Sequence, residues 1–194
     1  MTKIAFKGSA ILNPVPVVMI TSQNSEGKVN VFTVGWIGTA CTRPPMITVS
    51  IRSDRLSYEY IKETEEFVVN LPPASMTKIV DYVGVVSGKK EDKIEKLKLS
   101  LEPSKKVQVP SLADCPVNIE CKLKSITPLG SHDLFLAEVV SVSVDESIID
   151  EKGKIHLEKA NLIAYSHGEY FALQSKPLGK FGYSIQKKKK QKIK

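Results

Sequence analysis

Residues 30–70 read NVFTVGWIGTACTRPPMITVSIRSDRLSYEYIKETEEFVVN. The stretch holds three β-type runs, a short helix-like run, the chain's single tryptophan (Trp36) and hydroxyls at Thr33, Thr39, Thr42, Ser50, Ser53 and Ser57, where strands are expected to end. Strand ends present backbone amides and hydroxyls that the ladder has not already consumed. The pattern therefore marks a candidate ligand cradle on a β scaffold.

Working outward, residues 16–22 form a short apolar run, Asn24-Ser-Glu-Gly27 a turn, and residues 29–36 a second strand, which predicts a hairpin. Residues 46–51 follow Pro44-Pro45 as a buried-type strand. Asp54 is placed to cap a helix over 56–62, residues 67–70 return to strand, and residues 74–83 read as helix after Pro72-Pro73. The charged segment 87–97 reads as a loop opening a short helix. Residues 117–127 and 134–144 are long alternating runs on either side of Pro128-Leu-Gly-Ser-His-Asp133, with Val117, Ile119, Cys121 and Leu123 on one face. About five to seven strands without regular β-α-β alternation predict a mainly β fold, a closed or partly closed antiparallel barrel with inserted helices.

With 194 residues, 42% hydrophobic and 25% charged, the chain has the composition of an ordinary soluble domain. A single domain over residues 1–184 is expected, followed by a Lys-rich tail, 185–194, expected to be disordered. The eight residues from Lys187, KKKKQKIK, hold six lysines; taking these from the 28 Lys+Arg leaves 22 against 21 Asp+Glu. All but one unit of the net charge of +7 thus lies in the tail, and no aromatic interleaving accompanies it, which argues against a nucleic-acid face. No apolar run approaches the roughly 18–20 residues of a membrane span, and the start, Met1-Thr-Lys-Ile-Ala-Phe-Lys7, lacks signal-peptide layout, so a cytoplasmic protein is expected.

Cys41, Cys115 and Cys121 are odd in number and imply no disulfide framework. Cys115 and Cys121 read as core-filling residues, whereas Cys41 lies beside the loop Thr42-Arg43-Pro44-Pro45. His132, His156 and His167 share no ligand spacing, so no metal site is expected. The chain also lacks the G-x-G-x-x-G, P-loop, H-E-x-x-H and G-x-S-x-G motifs.

An ordered series of residues carries more: Asn30, Trp36, Pro44-Pro45, Val49-Ser-Ile-Arg52, Ser57-Tyr58 with Ile61, and Phe67-Val-Val-Asn-Leu-Pro72. Pro14-Val-Pro-Val-Val-Met-Ile-Thr21 precedes it; Ser87-Gly88, Asp92-Lys93, Gly130-Ser-His132, Leu134-Phe-Leu-Ala-Glu-Val-Val140, Gly168-Glu-Tyr-Phe-Ala-Leu173 and Leu178-Gly-Lys-Phe-Gly182 follow. Over residues 10–184 this series resembles the flavin reductase-like family, whose fold is the FMN-binding split barrel, and in particular its flavoredoxin-like branch.

The resemblance implies non-covalent FMN and hydride transfer from NADH or NADPH, in a homodimer that passes electrons to a second acceptor. It implies a flavin ring along Thr33, Val34, Gly35, Trp36, Ile37, Thr39 and Cys41, that is, a strand and the loop after it. The phosphate is implied near Ser50, Ile51, Arg52, Ser57 and Tyr58, where strand-end amides and a helix start converge, with Ser87 and Lys89 as secondary candidates. His132 is implied at the reacting face, and His167 is expected to cover the site. Each residue also has a structural reading: Trp36 as a packing or interface aromatic, Arg52 as an ion-pair partner of Asp54 or Glu59, Ser57 as a helix-start residue, and His132 as a turn residue. Two other functions fit the sequence: an electron-transfer flavoprotein with a protein redox partner and no productive nicotinamide site, and a non-enzymatic FMN- or RNA-binding module.

Overall fold

In the computed structural model, which describes residues 1–174 and 176–185, both predicted hairpins form. The first pairs β2 (Val18–Gln23) with β3 (Val29–Val34), and the second pairs β9 (Val117–Pro128) with β10 (Asp133–Val144). They join β4 (Ile37–Thr42), β5 (Pro45–Ile51) and β6 (Glu66–Leu71) in one antiparallel seven-stranded sheet of order β3-β2-β6-β9-β10-β5-β4. Its two edges are successive strands, linked only by Gly35 and Trp36. The sheet curls until those edges face each other, and the barrel stays split along that line.

The curling is visible in which side chains meet. Val18 and Ile20 of β2, Phe32 and Val34 of β3, Val49 and Ile51 of β5, Phe67 and Val69 of β6, Cys121 of β9 and Phe135 of β10 form one interior cluster. Phe67, Cys121 and Phe135 are fully excluded from solvent. Val17, Met19 and Val31 point the other way, to a second cluster with Met76, Val80 and Val83 around helix α2 (Thr77–Val85). β2 is therefore apolar on both faces because it has a barrel on one side and a helix on the other. Cys115 and Cys121 are buried core residues, as their surroundings in the sequence suggest.

Smaller elements close the ends. α1 (Leu56–Thr64) follows β5, α3 (Lys93–Leu97) follows α2, and β7 (Leu101–Glu102) pairs with β8 (Ser111–Leu112). β1 (Val15–Pro16), β11 (Ile163–Ser166) and β12 (Glu169–Ala172) form a three-stranded antiparallel sheet in the order β1-β11-β12. Asp92 caps α3, accepting from the amides of Ile94 and Glu95.

Two expectations change. Asp54 does not cap α1: the N-cap is Arg55, with no side-chain cap bond, because the Asp54 carboxylate is held instead by Arg52. Residues 37–42 are an edge strand and not a loop, since β5 supplies a complete antiparallel partner with a bulge between Thr39 and Cys41. The Lys-rich stretch 186–194 lies outside the described residues. Among the described residues no helix is long and apolar enough to cross a membrane, and no group of three His, Cys, Asp or Glu side chains could hold a metal ion.

Candidate functional site

Where the barrel is split, a cavity of about 380 Å³ opens beside the β3–β4 connection. Its volume is in the usual range for small-molecule sites. One wall is β3 and its exit, Thr33, Val34, Gly35 and Trp36; a second is the end of β5, Ser50, Ile51 and Arg52; His132 from the β9–β10 turn joins them. Close backbone approach makes this junction possible at Gly35, where a Cβ would meet Val15 Cγ2 at 3.2 Å.

Trp36 is 47% exposed, so it is not a core residue, and its ring lies 4.6 Å from that of His132 at a 44° tilt. The pair offers a half-open aromatic surface at the cavity mouth. His132 Nδ1 lies 3.0 Å from Ser131 Oγ. Burial, followed by the nearby Arg52 guanidinium, pulls the His132 pKa below its ordinary value, so the imidazole is neutral at pH 7.

The cationic side of the cavity is built from Arg52 and Arg55. They differ in what they already hold. Arg52 is bound through two nitrogens to Asp54, at 2.9 and 3.2 Å, both side chains being exposed. Arg55 is partly buried, and none of the hydrogen bonds or ion pairs among the described residues uses its guanidinium. Its charge is felt by its neighbours: Arg55 adds to the downward pull on His132 and on Lys93. The Lys93 ammonium is buried, donates to the carbonyls of Val83 (3.0 Å) and Val86 (3.1 Å), and is pulled down to about 8 mainly by burial. It ties off the C-terminus of α2 behind the cavity wall.

Ser57, by contrast, does not line the cavity. It is fully buried, and its hydroxyl accepts from Ser22 Oγ at 2.7 Å and from Asn30 Nδ2 at 2.8 Å. Strands β2 and β3 deliver two donors to this hydroxyl, which gives Ser57 a structural role beside the expected phosphate contact. Gly88 completes the hub: a Cβ there would lie 2.2 Å from Asn30 Oδ1, so only glycine lets the loop after α2 settle on Asn30.

Other expected residues also lie outside the main cavity lining. Tyr58 donates to Asp133 at 2.7 Å, a bond that raises its pKa, and packs edge-on against Phe135. Ile37 packs on the barrel interior, while Thr39 and Cys41 sit on edge strand β4. Lys89 is paired with Glu59 at 2.6 Å, and the Ser87 hydroxyl caps the Lys89 amide at 3.3 Å. His167 takes a left-handed backbone, φ 50°, donates its amide to Asn13 Oδ1, and lines a smaller hollow of about 340 Å³ with Ala10, Leu12 and Asn13. That hollow shares Val15, Trp36, Tyr165 and Gly168 with the main cavity.

The cavity also contains residues the sequence did not single out: Arg55, and the α2 face formed by Asp81, Gly84 and Val85. Only Ser53 and Asp54 separate Arg55 from Arg52, and that proximity at the end of a strand was the available signal. Tyr165 and Tyr170 stack edge-on, with ring centroids 5.5 Å apart, pack against the α2 cluster and line the cavity beside it.

Comparison with known proteins agrees with this architecture. A model of the flavin reductase like domain matches residues 12–174. An uncharacterized protein of Archaeoglobus fulgidus is 39% identical over 129 residues, covering 66% of this chain and 73% of that one. The flavoredoxin of Desulfovibrio vulgaris (Miyazaki F) superposes with a TM-score of 0.87 at 27% identity, covering 95% of this chain and all (100%) of the other. A flavoredoxin from Methanosarcina acetivorans gives a TM-score of 0.84 at 25% identity, covering 96% of this chain and 100% of the other. With the split barrel in place and the family model matched over most of its length, this chain belongs to the flavin reductase-like domain family.

Proposed function

We propose that the cavity holds FMN non-covalently and that the protein is an NAD(P)H-dependent, flavin reductase-type oxidoreductase. The observation that carries this reading is the juxtaposition of a half-exposed aromatic pair, Trp36 and His132, with the unpaired guanidinium of Arg55 in one cavity. A planar ring bearing a phosphate suits both features: the aromatic face takes the ring and the guanidinium takes the anion. FMN bound there would supply hydride and electron transfer between a reduced nicotinamide and a second acceptor.

The chain's own residues provide binding and orientation. Thr33, Val34 and Gly35 give the ring a backbone edge, Arg55 holds the phosphate with Arg52 as a weaker second cation, and His132, being neutral, orients the nicotinamide without repelling its cationic oxidised form. A homodimer and a cytoplasmic address belong to the same reading, as does a single domain over residues 1–184. Two measurements test it. The purified protein, or the protein after FMN loading, shows oxidised-flavin absorbance bands, and rapid mixing with NADH and NADPH bleaches them with at least one. A flavin that stays oxidised with both nucleotides overturns the reductase assignment.

The similarity to two flavoredoxins favours a second reading, an electron-transfer flavoprotein supplied by a protein donor. Bleaching by a reduced redox protein but not by either nucleotide selects it.

A further inference from the structure

The cavity has an acidic point as well as a cationic one. Asp81 sits on the face of α2 shared with Gly84 and Val85. That face is held against β3 in two ways: Thr33 Oγ1 donates to the Val80 carbonyl at 2.5 Å, and a Cβ on Gly84 would lie 3.1 Å from Thr33 Cβ. From the neighbouring small sheet, Tyr170 of β12 donates its hydroxyl to Asp81 Oδ1 at 3.2 Å. Burial and the facing Asp81 carboxylate push the Tyr170 phenol up to about 12, so it remains a donor at every working pH.

One tyrosine does not use up a carboxylate. An ionised Asp is acceptor-only, with room for several donors, and no other hydrogen bond or ion pair among the described residues reaches Asp81. Neither cavity arginine neutralises it: Arg52 is engaged with Asp54, and Arg55 holds no carboxylate. A carboxylate repels a phosphate, so the ligand part beside Asp81 is not the anion. It is also not an aromatic face, which the Trp36–His132 pair serves better. What remains of a phosphorylated ring ligand is the chain joining ring to phosphate, which in FMN carries hydroxyls.

We infer that Asp81, oriented by Tyr170, is a binding residue that accepts hydrogen bonds from the polyol chain of the bound flavin. The inference rests on the flavin reading above and adds to it a residue that selects hydroxylated ligands. Uncharged flavins give the cleanest test, because they remove the repulsion between Asp81 and a phosphate. Riboflavin, which has the polyol, and lumiflavin, which lacks it, are titrated into wild type, Asp81→Ala and Asp81→Asn. Asp81→Ala weakens riboflavin about tenfold, the size of one charge-assisted hydrogen bond, and leaves lumiflavin within about twofold. Asp81→Asn recovers most of the loss, since its amide carbonyl still accepts. An unchanged riboflavin affinity in Asp81→Ala, or an equal loss for both flavins, overturns the assignment. A wild-type protein that binds neither of these flavins nor FMN overturns the flavin reading itself, a different result from either.

Discussion

Ser57 and Arg55 are two residues apart at the start of α1, and their polar groups have opposite fates. Ser57 is buried with two donors directed at its oxygen, one from β2 and one from β3. Arg55 lines the cavity, and no hydrogen bond or ion pair among the described residues uses its guanidinium. A buried polar group whose partners come from its own chain is part of the scaffold, because losing it strands those partners away from water. A partly buried cation without a partner is costly unless something else supplies the anion. The contrast separates residues that hold the site's shape from those that hold its ligand, and substitutions can test each side of it.

The largest effect is expected on the scaffold side. Ser57→Ala leaves the Ser22 hydroxyl and the Asn30 amide without their acceptor, and about 2–6 kcal/mol of folding stability is lost at about 1–3 kcal/mol per stranded group. Chemical denaturation measures it. FMN affinity of the molecules that remain folded stays within about threefold, and a large loss of affinity without loss of stability would return Ser57 to the ligand.

The converse holds for Arg55→Ala. FMN binding falls by about 1.5–3 kcal/mol, the value of a hydrogen-bonded charged group, while stability changes by less than about 0.5 kcal/mol. Riboflavin, lacking the phosphate, shows little change, so the ratio of the two affinities isolates the anion contact. Arg52→Ala has the same direction and a smaller size, under about 1 kcal/mol, because Asp54 already screens that guanidinium. Equal losses in the two variants would break the distinction between a paired and an unpaired arginine.

The smallest effect concerns a half-buried group that is fully partnered. His156 is clamped by Asp150 at 2.9 Å and Glu158 at 2.7 Å, with Lys154 opposing. Asp150 first, then Glu158, raises the His156 pKa, while the His156 bond lowers that of Asp150 to about 2. The raised histidine stabilises fully below its ordinary value of 6.5 and loses that contribution as pH climbs through the raised value; the lowered aspartate contributes above 3.8 and loses its share as pH falls toward about 2. Thermal unfolding should therefore separate wild type from His156→Ala more at pH 5.5 than at pH 9, by an amount that added salt reduces. An equal separation at both pH values would mean that the clamp carries no charge.

The same contrast explains what the sequence could reveal. Both hairpins were legible because alternation and turn residues are local, and β2 announced its burial as a continuous apolar run. β4 was not: Gly38, Thr39 and Ala40 give no apolar alternation, and the strand exists because β5 pairs with it. The structural role of Ser57 was not legible because its partners, Ser22 and Asn30, lie 35 and 27 positions away. Tyr170 and Asp81 are 89 positions apart and meet only once the β11–β12 hairpin folds over α2. Arg55 was passed over because its availability depends on Asp54 turning to Arg52 and not to the helix amides.

The central claim is that a phosphorylated flavin occupies the cavity between Trp36 and Arg55. Trp36 is the only tryptophan in the chain and stands at the cavity mouth, so its emission reports that site alone. Titrating FMN into the protein should quench this emission saturably, with one flavin per chain, and Arg55→Ala should shift the curve to higher FMN by at least about tenfold. Unchanged tryptophan emission, or identical curves for wild type and Arg55→Ala, would contradict the account.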